Sequence, residues 1–431
     1  ADRHIFSLAT DSAKGAGRCE SVFYDRVSAW QASPLDLSLL PSDVSSRQLL
    51  RTCRIMPFTK SAQLCRWGLL STAAISRKNW KSIALSASGT ITAVASRNAA
   101  KAQQFIEECS AEVPFATPPA AVGDYDALLS RDDVDAVYIA LPTSLRKPWV
   151  LKAAAAGKHV LCEKPVADSA EDAAEMIDAC RAAGVQFMDG VMFSHSSRLK
   201  AIRDAIDGPS GIGPLRRITS SFCFHGDESF QRQNIRVNSS LESQGCLGDL
   251  GWYTLRMILW VMNYRMPTSV VAHTLKTMRG DASPADVPGE FSGELFFDGG
   301  VSAHFFCSFL VENQQLTTIS GEKGYITLDD FVLPFYDAEL AWGEHRHVLE
   351  IDNCRWNMQR HSSRSAVVEY ASGEPNAQEV NMIEAMNQCV VSGKLDPHWP
   401  AIALKTQQLM EACRRSADAG GVRVQLAPSG A

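Results

Sequence analysis

The apolar run His159–Cys162 passes straight into Glu163-Lys164-Pro165. Lys164 therefore stands at the carboxyl end of a strand, where an open sheet places its ligands. The proline behind it restricts Lys164 to an extended backbone. A second cluster reads Gly248-Asp249-Leu250-Gly251-Trp252-Tyr253. With Asp249 opening a helix, Tyr253 follows at i+4 on the same face. An ammonium, a carboxylate and a phenol are groups that orient a polar ligand and exchange protons with it. Softer candidates accompany them. Arg236 precedes the Asp249 cluster on a loop, where it either forks onto ligand hydroxyls or pairs with an acid. His195 follows Met192-Phe193 and either lines the substrate side or is a structural histidine. Trp252 and Trp399 read as packing residues.

The elements that must position these groups alternate regularly from Cys65 onward. The pattern predicts strands at Arg66–Leu70, Thr90–Ala95, Ala136–Ala140, His159–Cys162 and Gln186–Asp189. Between them it predicts helices at Ile75–Ser86, Asn98–Ser110, Tyr125–Ser130, Pro148–Ala156 and Ala170–Ala183. Such alternation implies an α/β fold, a doubly wound parallel sheet with helices on both faces. After about Ser194 the pattern changes to longer strands that alternate apolar and polar residues, at Leu215–His225, Ser269–Met278, Glu290–Phe297, Val301–Phe309, Gln315–Ser320 and Tyr325–Leu328. They imply an α+β domain with a mostly antiparallel open sheet, apolar on one side. Helices at Asn376–Val391 and Leu404–Ala419 close the chain and pack back. Residues 338–375 are polar and read as a loop or insertion. The domain reading is an extension or arm over 1–64, a dinucleotide-binding type domain over 65–194, and a substrate and oligomerisation domain over 195–431.

The first strand ends in Ser71-Thr72-Ala73-Ala74-Ile75-Ser76. A dinucleotide turn carries GxGxxG, whose glycines let backbone amides approach a pyrophosphate at a helix amino end. Here Ser71, Ala73 and Ser76 are small, but none is glycine. The second strand ends in Ala95-Ser96-Arg97. An NAD site places an acid there for the ribose hydroxyls, whereas Ser96 and Arg97 offer a hydroxyl and a guanidinium fork suited to a 2′-phosphate. A dinucleotide bound here is expected to be NADP(H) rather than NAD(H).

The chain has 431 residues, of which 45% are hydrophobic and 21% charged. That excludes global disorder and is a prior of two or three domains. The net charge of −6 makes neither nucleic acid nor an anionic membrane a natural partner. The longest apolar stretch, near Met257–Met262, is about half a membrane span, so no span is expected. Twelve cysteines without a CxxC read as reduced thiols, and no metal site is expected. Residues 1–55 read as an addition in front of an older start at Met56. They are expected to be the remnant of an organelle-targeted precursor (mitochondrion or plastid), an arm that holds a larger assembly, or a tail on a cytoplasmic protein.

Across about Arg66 to Leu426 the chain resembles the glucose–fructose oxidoreductase / inositol dehydrogenase (Gfo/Idh/MocA) family. The likeness rests on Ala156-Gly157-Lys158-His159-Val160-Leu161-Cys162-Glu163-Lys164-Pro165, on Asp-x-Gly-x-Tyr at 249–253, and on Trp399-Pro400 with Lys405-Thr406-Gln407. Leu141-Pro142-Thr143-Ser144-Leu145, Met188–Met192 and Cys307–Leu310 look most like plant-type members and the dihydrodiol and xylose dehydrogenases. The resemblance implies a Rossmann domain and a homo-oligomer built through the C-terminal sheet. It implies hydride transfer between a nicotinamide and a sugar, polyol or diol carbon. By the same resemblance Lys164 is the catalytic lysine, Tyr253 the proton donor and acceptor, and Asp249 the acid that contacts substrate and lysine. Leu141, Pro142 and Glu163 join Ser71, Thr72, Ala73, Ile75, Ser96, Arg97 and Lys164 at the cofactor, while His195, Arg236, Asp249 and Tyr253 face the substrate. A neighbouring Lys164 is then expected to lower the phenol of Tyr253 from about 10. Arg146-Lys147-Pro148 stands where relatives carry a histidine and no proline, so that Arg146 either adds positive charge for an acidic substrate or marks an eroded site. The alternative is an accessory or structural subunit that keeps the fold without the activity.

Overall fold

The computed structural model describes residues 63–426, so the arm expected over 1–55 lies outside the described residues. In the first half β1 (Cys65–Leu70), α1 (Ala74–Leu85), β2 (Gly89–Ala95), α2 (Ala99–Glu112) and β3 (Ala120–Val122) follow one another. Then come α3 (Tyr125–Leu129), β4 (Ala136–Ile139), α4 (Arg146–Ala155), β5 (His159–Cys162), α5 (Ala170–Ala182) and β6 (Phe187–Asp189). The six strands form one sheet in the order β3-β2-β1-β4-β5-β6, and every pair is parallel. Every residue of β4 is buried, which is why this strand reads as an unbroken apolar run. The helices start where side chains can cap them. Asn98, Asp124 and Ser169 each accept a hydrogen bond from a first-turn amide. The three-residue β3 was not foreseen, because an edge strand that short leaves no period to detect.

The second half runs α6 (Ser197–Asp207), β7 (Leu215–Cys223), α7 (Glu228–Gln233), α8 (Trp252–Val261), β8 (Ser269–Met278), β9 (Val287–Phe296), β10 (Ser302–Ser308), β11 (Gln314–Gly321) and β12 (Tyr325–Leu328). Residues 338–375 are not the irregular loop their polarity suggested. They hold β13 (Leu340–His345), β14 (Val348–Asp352), β15 (Arg355–Gln359) and β16 (Ser362–Val367). β13 and β16 pair at one edge of the large sheet. β14 and β15 form a separate hairpin exposed on both faces, so no buried stripe marks them. The chain closes with α9 (Gln378–Ser392), α10 (His398–Asp418) and β17 (Val424–Gln425). The large sheet has nine strands in the order β16-β13-β12-β11-β7-β10-β9-β8-β17 and is antiparallel except where β10 meets β7. Among the described residues no helix is long and apolar enough to cross a membrane.

The end of the parallel sheet is tied to α8 by a buried charge network. Arg256 Nη2 lies 2.6 Å from Asp189 Oδ2, with the two side chains 0% and 1% exposed. Trp252 Nε1 donates to the same oxygen at 3.1 Å, and Arg256 Nε donates to Thr406 Oγ1 on α10 at 2.8 Å. Removing one partner leaves the other as an uncompensated buried charge. Asp189→Ala is therefore expected to destabilise the fold by about 3–5 kcal/mol. Urea unfolding checks it, and an unchanged midpoint would refute the role given to the pair.

Candidate active site

A cavity of about 760 Å³ opens at the carboxyl ends of β1, β4 and β5. Of the residues singled out in the sequence it gathers Ser71, Ala73, Ile75, Leu141, Pro142, Arg146, Glu163, Lys164, Arg236, Asp249 and Tyr253. Thr72, Ser96, Arg97 and His195 are not among its walls. Ser96 is buried at the end of β2, where its amide donates to Val122 O at 3.0 Å, and Arg97 is exposed beside it. His195, weighed between lining the substrate and a structural place, stands outside these walls. Its half-buried ring stacks on Trp399 at 4.2 Å, and its buried Nε2 has no hydrogen-bond partner.

The centre of the cavity is the Asp249 carboxylate. Lys164 Nζ lies 2.5 Å from Asp249 Oδ1 and donates to Asp249 O at 2.9 Å. Arg236 Nε lies 2.7 Å from Asp249 Oδ2. Burial works against the charge of Asp249, yet Arg236 and Lys164 outweigh it and hold the carboxyl well below the usual carboxylate range. Arg236, which the sequence left between two roles, spends Nε on this acid. Asp249 sits in one wide helical turn, Leu247–Gly251, that leads into α8. Gly248 permits the approach: a β-carbon there would lie 3.1 Å from Pro165 Cγ and 2.8 Å from Gln244 Cβ.

Tyr253 is 7% exposed, packed against Phe222 at 5.6 Å and Phe193 at 6.2 Å. Its hydroxyl has no hydrogen-bond partner among the described residues. Lys164 Nζ stands 4.9 Å above the ring rather than at the oxygen. The expected lowering of the phenol is reversed. Burial pushes Tyr253 well above its ordinary value, and the charges of Glu163 and Asp249 add to this against Arg236. The Lys164 ammonium is already matched by Asp249.

Arg146 is also a wall residue of the cavity, with its guanidinium largely engaged by the protein. It is 4% exposed. Its Nε donates to Leu141 O at 2.7 Å and its Nη1 to Pro165 O, the residue after Lys164. Glu242, 3.8 Å from Arg146 Nη2, accepts from Thr143 N at 3.0 Å and Thr143 Oγ1 at 2.6 Å. The arginine thus binds two strand-end loops to the segment before Asp249. Sequence reasoning also missed Glu379 and Met382 of α9, and Phe222, Phe224, Val332 and Leu333, as cavity walls. Only the return of the chain brings them there, and no local pattern announces it.

The turn after β1 has its own support. Ser71 takes a φ of 114°, in the region that favours glycine. Its Oγ accepts from Ala73 N at 3.1 Å, and Ser76 Oγ donates to Ser71 O at 3.1 Å. The amino end of α1 has neither a side-chain cap nor an acid in its first turn. Its free amides suit a phosphate anion.

Comparison with known proteins agrees with this architecture. Residues 66–191 match a family model described as an oxidoreductase family with an NAD-binding Rossmann fold. Residues 200–327 match the GFO/IDH/MocA C-terminal domain. The chain is 34% identical over 299 residues to a dTDP-3,4-didehydro-2,6-dideoxy-alpha-D-glucose 3-reductase of Streptomyces violaceoruber, covering 68% of this chain and 79% of that one. It is 32% identical over 285 residues to a D-xylose 1-dehydrogenase (NADP(+)) of Haloferax volcanii, covering 66% and 82%. A crystal structure of a 3-ketoreductase from Actinomadura kijaniata with NADP and TDP-benzene superposes with a TM-score of 0.68 at 25% identity, over 82% of this chain and 98% of that one.

The burial of His195 has a measurable consequence. Desolvation lowers its pKa to about 3, with the nearby Arg256 and His398 charges adding to the effect. Between the ordinary histidine value near 6.5 and that lowered value, the unfolded chain binds a proton that the folded chain refuses. Stability should therefore fall as pH drops below about 6.5. His195→Phe, which keeps the stack on Trp399, should flatten that slope in urea unfolding from neutral to acid pH. Identical slopes for the two proteins would refute the assignment.

Proposed function

The chain belongs to the GFO/IDH/MocA oxidoreductase family, and from that premise we propose that it is an NADP(H)-dependent oxidoreductase acting at a carbinol or carbonyl carbon of a sugar, polyol or diol. The observation that carries the reading is the Lys164–Asp249–Arg236 knot beside Tyr253, at the carboxyl ends of a parallel sheet. The small turn and the uncapped amino end of α1 fit a pyrophosphate. Ser96 and Arg97, with no acid between them and α2, favour a 2′-phosphate over a bare ribose. The NADP named for the xylose dehydrogenase and bound by the ketoreductase supports the same choice.

A bound dinucleotide supplies or accepts the hydride. The chain supplies position, charge and the proton. An ammonium has three donors, and two of those on Lys164 are engaged by Asp249. The remaining N–H is available to a substrate oxygen. Asp249 fixes the direction of that donor, and its ionised state keeps both neighbouring cations in place. Tyr253 stays a neutral phenol, so it can give its proton to the oxygen of a carbonyl being reduced. In the oxidative direction the same oxygen must first lose that proton, which its raised pKa opposes.

Fluorescence titration with NADPH and separately with NADH tests the cofactor, and tighter binding of NADPH is the expected result. Binding of neither by the folded protein would overturn the reading. Tyr253→Phe should lower kcat by about 10²–10⁴-fold with the NADPH affinity unchanged. With the wild type, carbonyl reduction should be flat with pH through the neutral range, while alcohol oxidation should keep rising past the ordinary phenol value near 10. A reduction rate that declines across neutral pH as Tyr253 ionises would contradict the proton assignment.

A further inference from the structure

Four carboxylates stand in the wall of the cavity, and three of them have both oxygens occupied. Asp249 is shared by Lys164 and Arg236. Glu242 accepts twice from Thr143 and faces Arg146. Glu163 accepts from Tyr138 Oη at 2.5 Å and from Lys164 N at 3.2 Å. The fourth is Glu379, in the first turn of α9 and 2% exposed. Its Oε1 accepts from Gly373 N at 3.0 Å. Its Oε2 is shielded from water and has no hydrogen-bond partner among the described residues. A buried carboxylate oxygen in that state has given up its water for nothing, unless a bound molecule brings it a donor.

The other unspent side-chain groups of the wall can donate. They are the Tyr253 hydroxyl, one N–H of Lys164, the terminal nitrogens of Arg236, the Asn234 amide nitrogen, Gln233 and Lys78. Glu379 Oε2 differs from all of them in that it can only accept. Its place in the fold decides which part of a ligand reaches it. α9 packs on α1 and on the turn at 192–195, where Asn381 Nδ2 donates to His195 O at 3.3 Å. Gly373, which holds Glu379, comes so near α1 that a β-carbon on it would lie 2.9 Å from Lys81 Nζ. Glu379 therefore belongs to the α1 side of the cavity. The apolar walls there include Ile75, Met192 and Met382.

Resting on the oxidoreductase reading above, we propose that Glu379 Oε2 accepts from the carboxamide N–H2 of the nicotinamide and so positions the ring. A dinucleotide whose pyrophosphate meets the amino end of α1 carries its nicotinamide from there toward Lys164. The carboxamide is the one group on that ring with N–H donors. An oxygen that can only accept, set among apolar walls, selects the N–H2 edge over the carbonyl edge. A carboxylate acceptor also makes the stronger kind of hydrogen bond. Held at that edge, the ring cannot turn over about its bond to the ribose, and a single face meets the substrate carbon.

NADP⁺ and its 3-acetylpyridine analogue test this. The analogue keeps the carbonyl and the ribose hydroxyls but has a methyl group in place of the N–H2. Each is titrated against the full chain, following tryptophan fluorescence. The wild type should bind NADP⁺ at least about tenfold more tightly. In Glu379→Gln the new side chain can keep the Gly373 bond with its oxygen and turn its own N–H2 toward the ligand. Both nucleotides then meet it with a carbonyl, so the preference should vanish. Glu379→Leu offers nothing to either nucleotide and should abolish the preference as well. A preference that survives either substitution overturns the proposal. Equal binding of the two nucleotides by the wild type also overturns it, since Glu379 then serves a ribose hydroxyl or the fold alone, and the oxidoreductase reading stands. Binding of neither nucleotide by the folded wild type overturns the NADP(H) reading and this proposal with it.

Discussion

A carboxylate placed at the joint of two sheets is tolerable only when cations arrive to meet it. Asp249 is met by Lys164, at the end of β5, and by Arg236, from the loop before α8. Much of the surrounding structure makes that meeting possible. Gly248 lets the wide turn come against Pro165, and Arg146 ties the Pro165 and Leu141 carbonyls together. One turn further on, Trp252 and Arg256 grip Asp189 at the end of β6. The start of α8 is therefore fixed at positions 249, 252 and 256, and Tyr253 lies between the fixed points. Its ring has little freedom left, which is the preorganisation the proposed proton donor needs.

The same knot explains why proximity to a cation does not make Tyr253 a stronger acid. The positive charge of Lys164 is closely matched by Asp249, and Glu163 adds a further negative charge nearby. Burial then decides the outcome, and it favours the neutral phenol. An ammonium counts toward a neighbour's titration only to the extent that its own counter-ion leaves it uncompensated. The count of charges in a site is thus a poorer guide than their pairing.

What the sequence made legible follows from what is buried and how. The central strands are buried on both faces, so their apolar runs and the turns between them marked the parallel sheet closely, and Lys164 fell at a strand end as expected. β8 matched the alternating run from Ser269 to Met278 because one side of it packs on the core. The hairpin of β14 and β15 left no such trace. Its register puts Leu349 opposite Met358 and Ile351 opposite Trp356, yet all four are exposed, and the segment between them reads as polar. Residue type alone left His195 and Arg146 open for a related reason: their stacking and carbonyl partners are set by packing. Glu379 and Met382 reach the cavity from α9, far along the chain, through packing that no local pattern encodes.

The turn after β1 shows how a motif can be absent while its geometry is present. A left-handed backbone at a residue with a side chain costs roughly 1–3 kcal/mol, and one hydrogen bond returns only about 1. The Ser71 hydroxyl alone therefore does not offset the strain. The rest is borne by its neighbours: Ser71 N donates to Ala95 O at 3.1 Å, Ser76 Oγ returns to Ser71 O, and Ser76 N donates to Ala73 O at 2.9 Å. Small side chains at 73 and 76 keep the backbone accessible, as the second and third glycines of the usual fingerprint do. Glycine reaches this conformation through freedom, and this chain reaches it through hydrogen bonds. What a phosphate needs from the turn is the direction of its amides and an uncapped helix behind them. Both are properties of the backbone, so the test of such a site lies in the turn's geometry and not in its count of glycines.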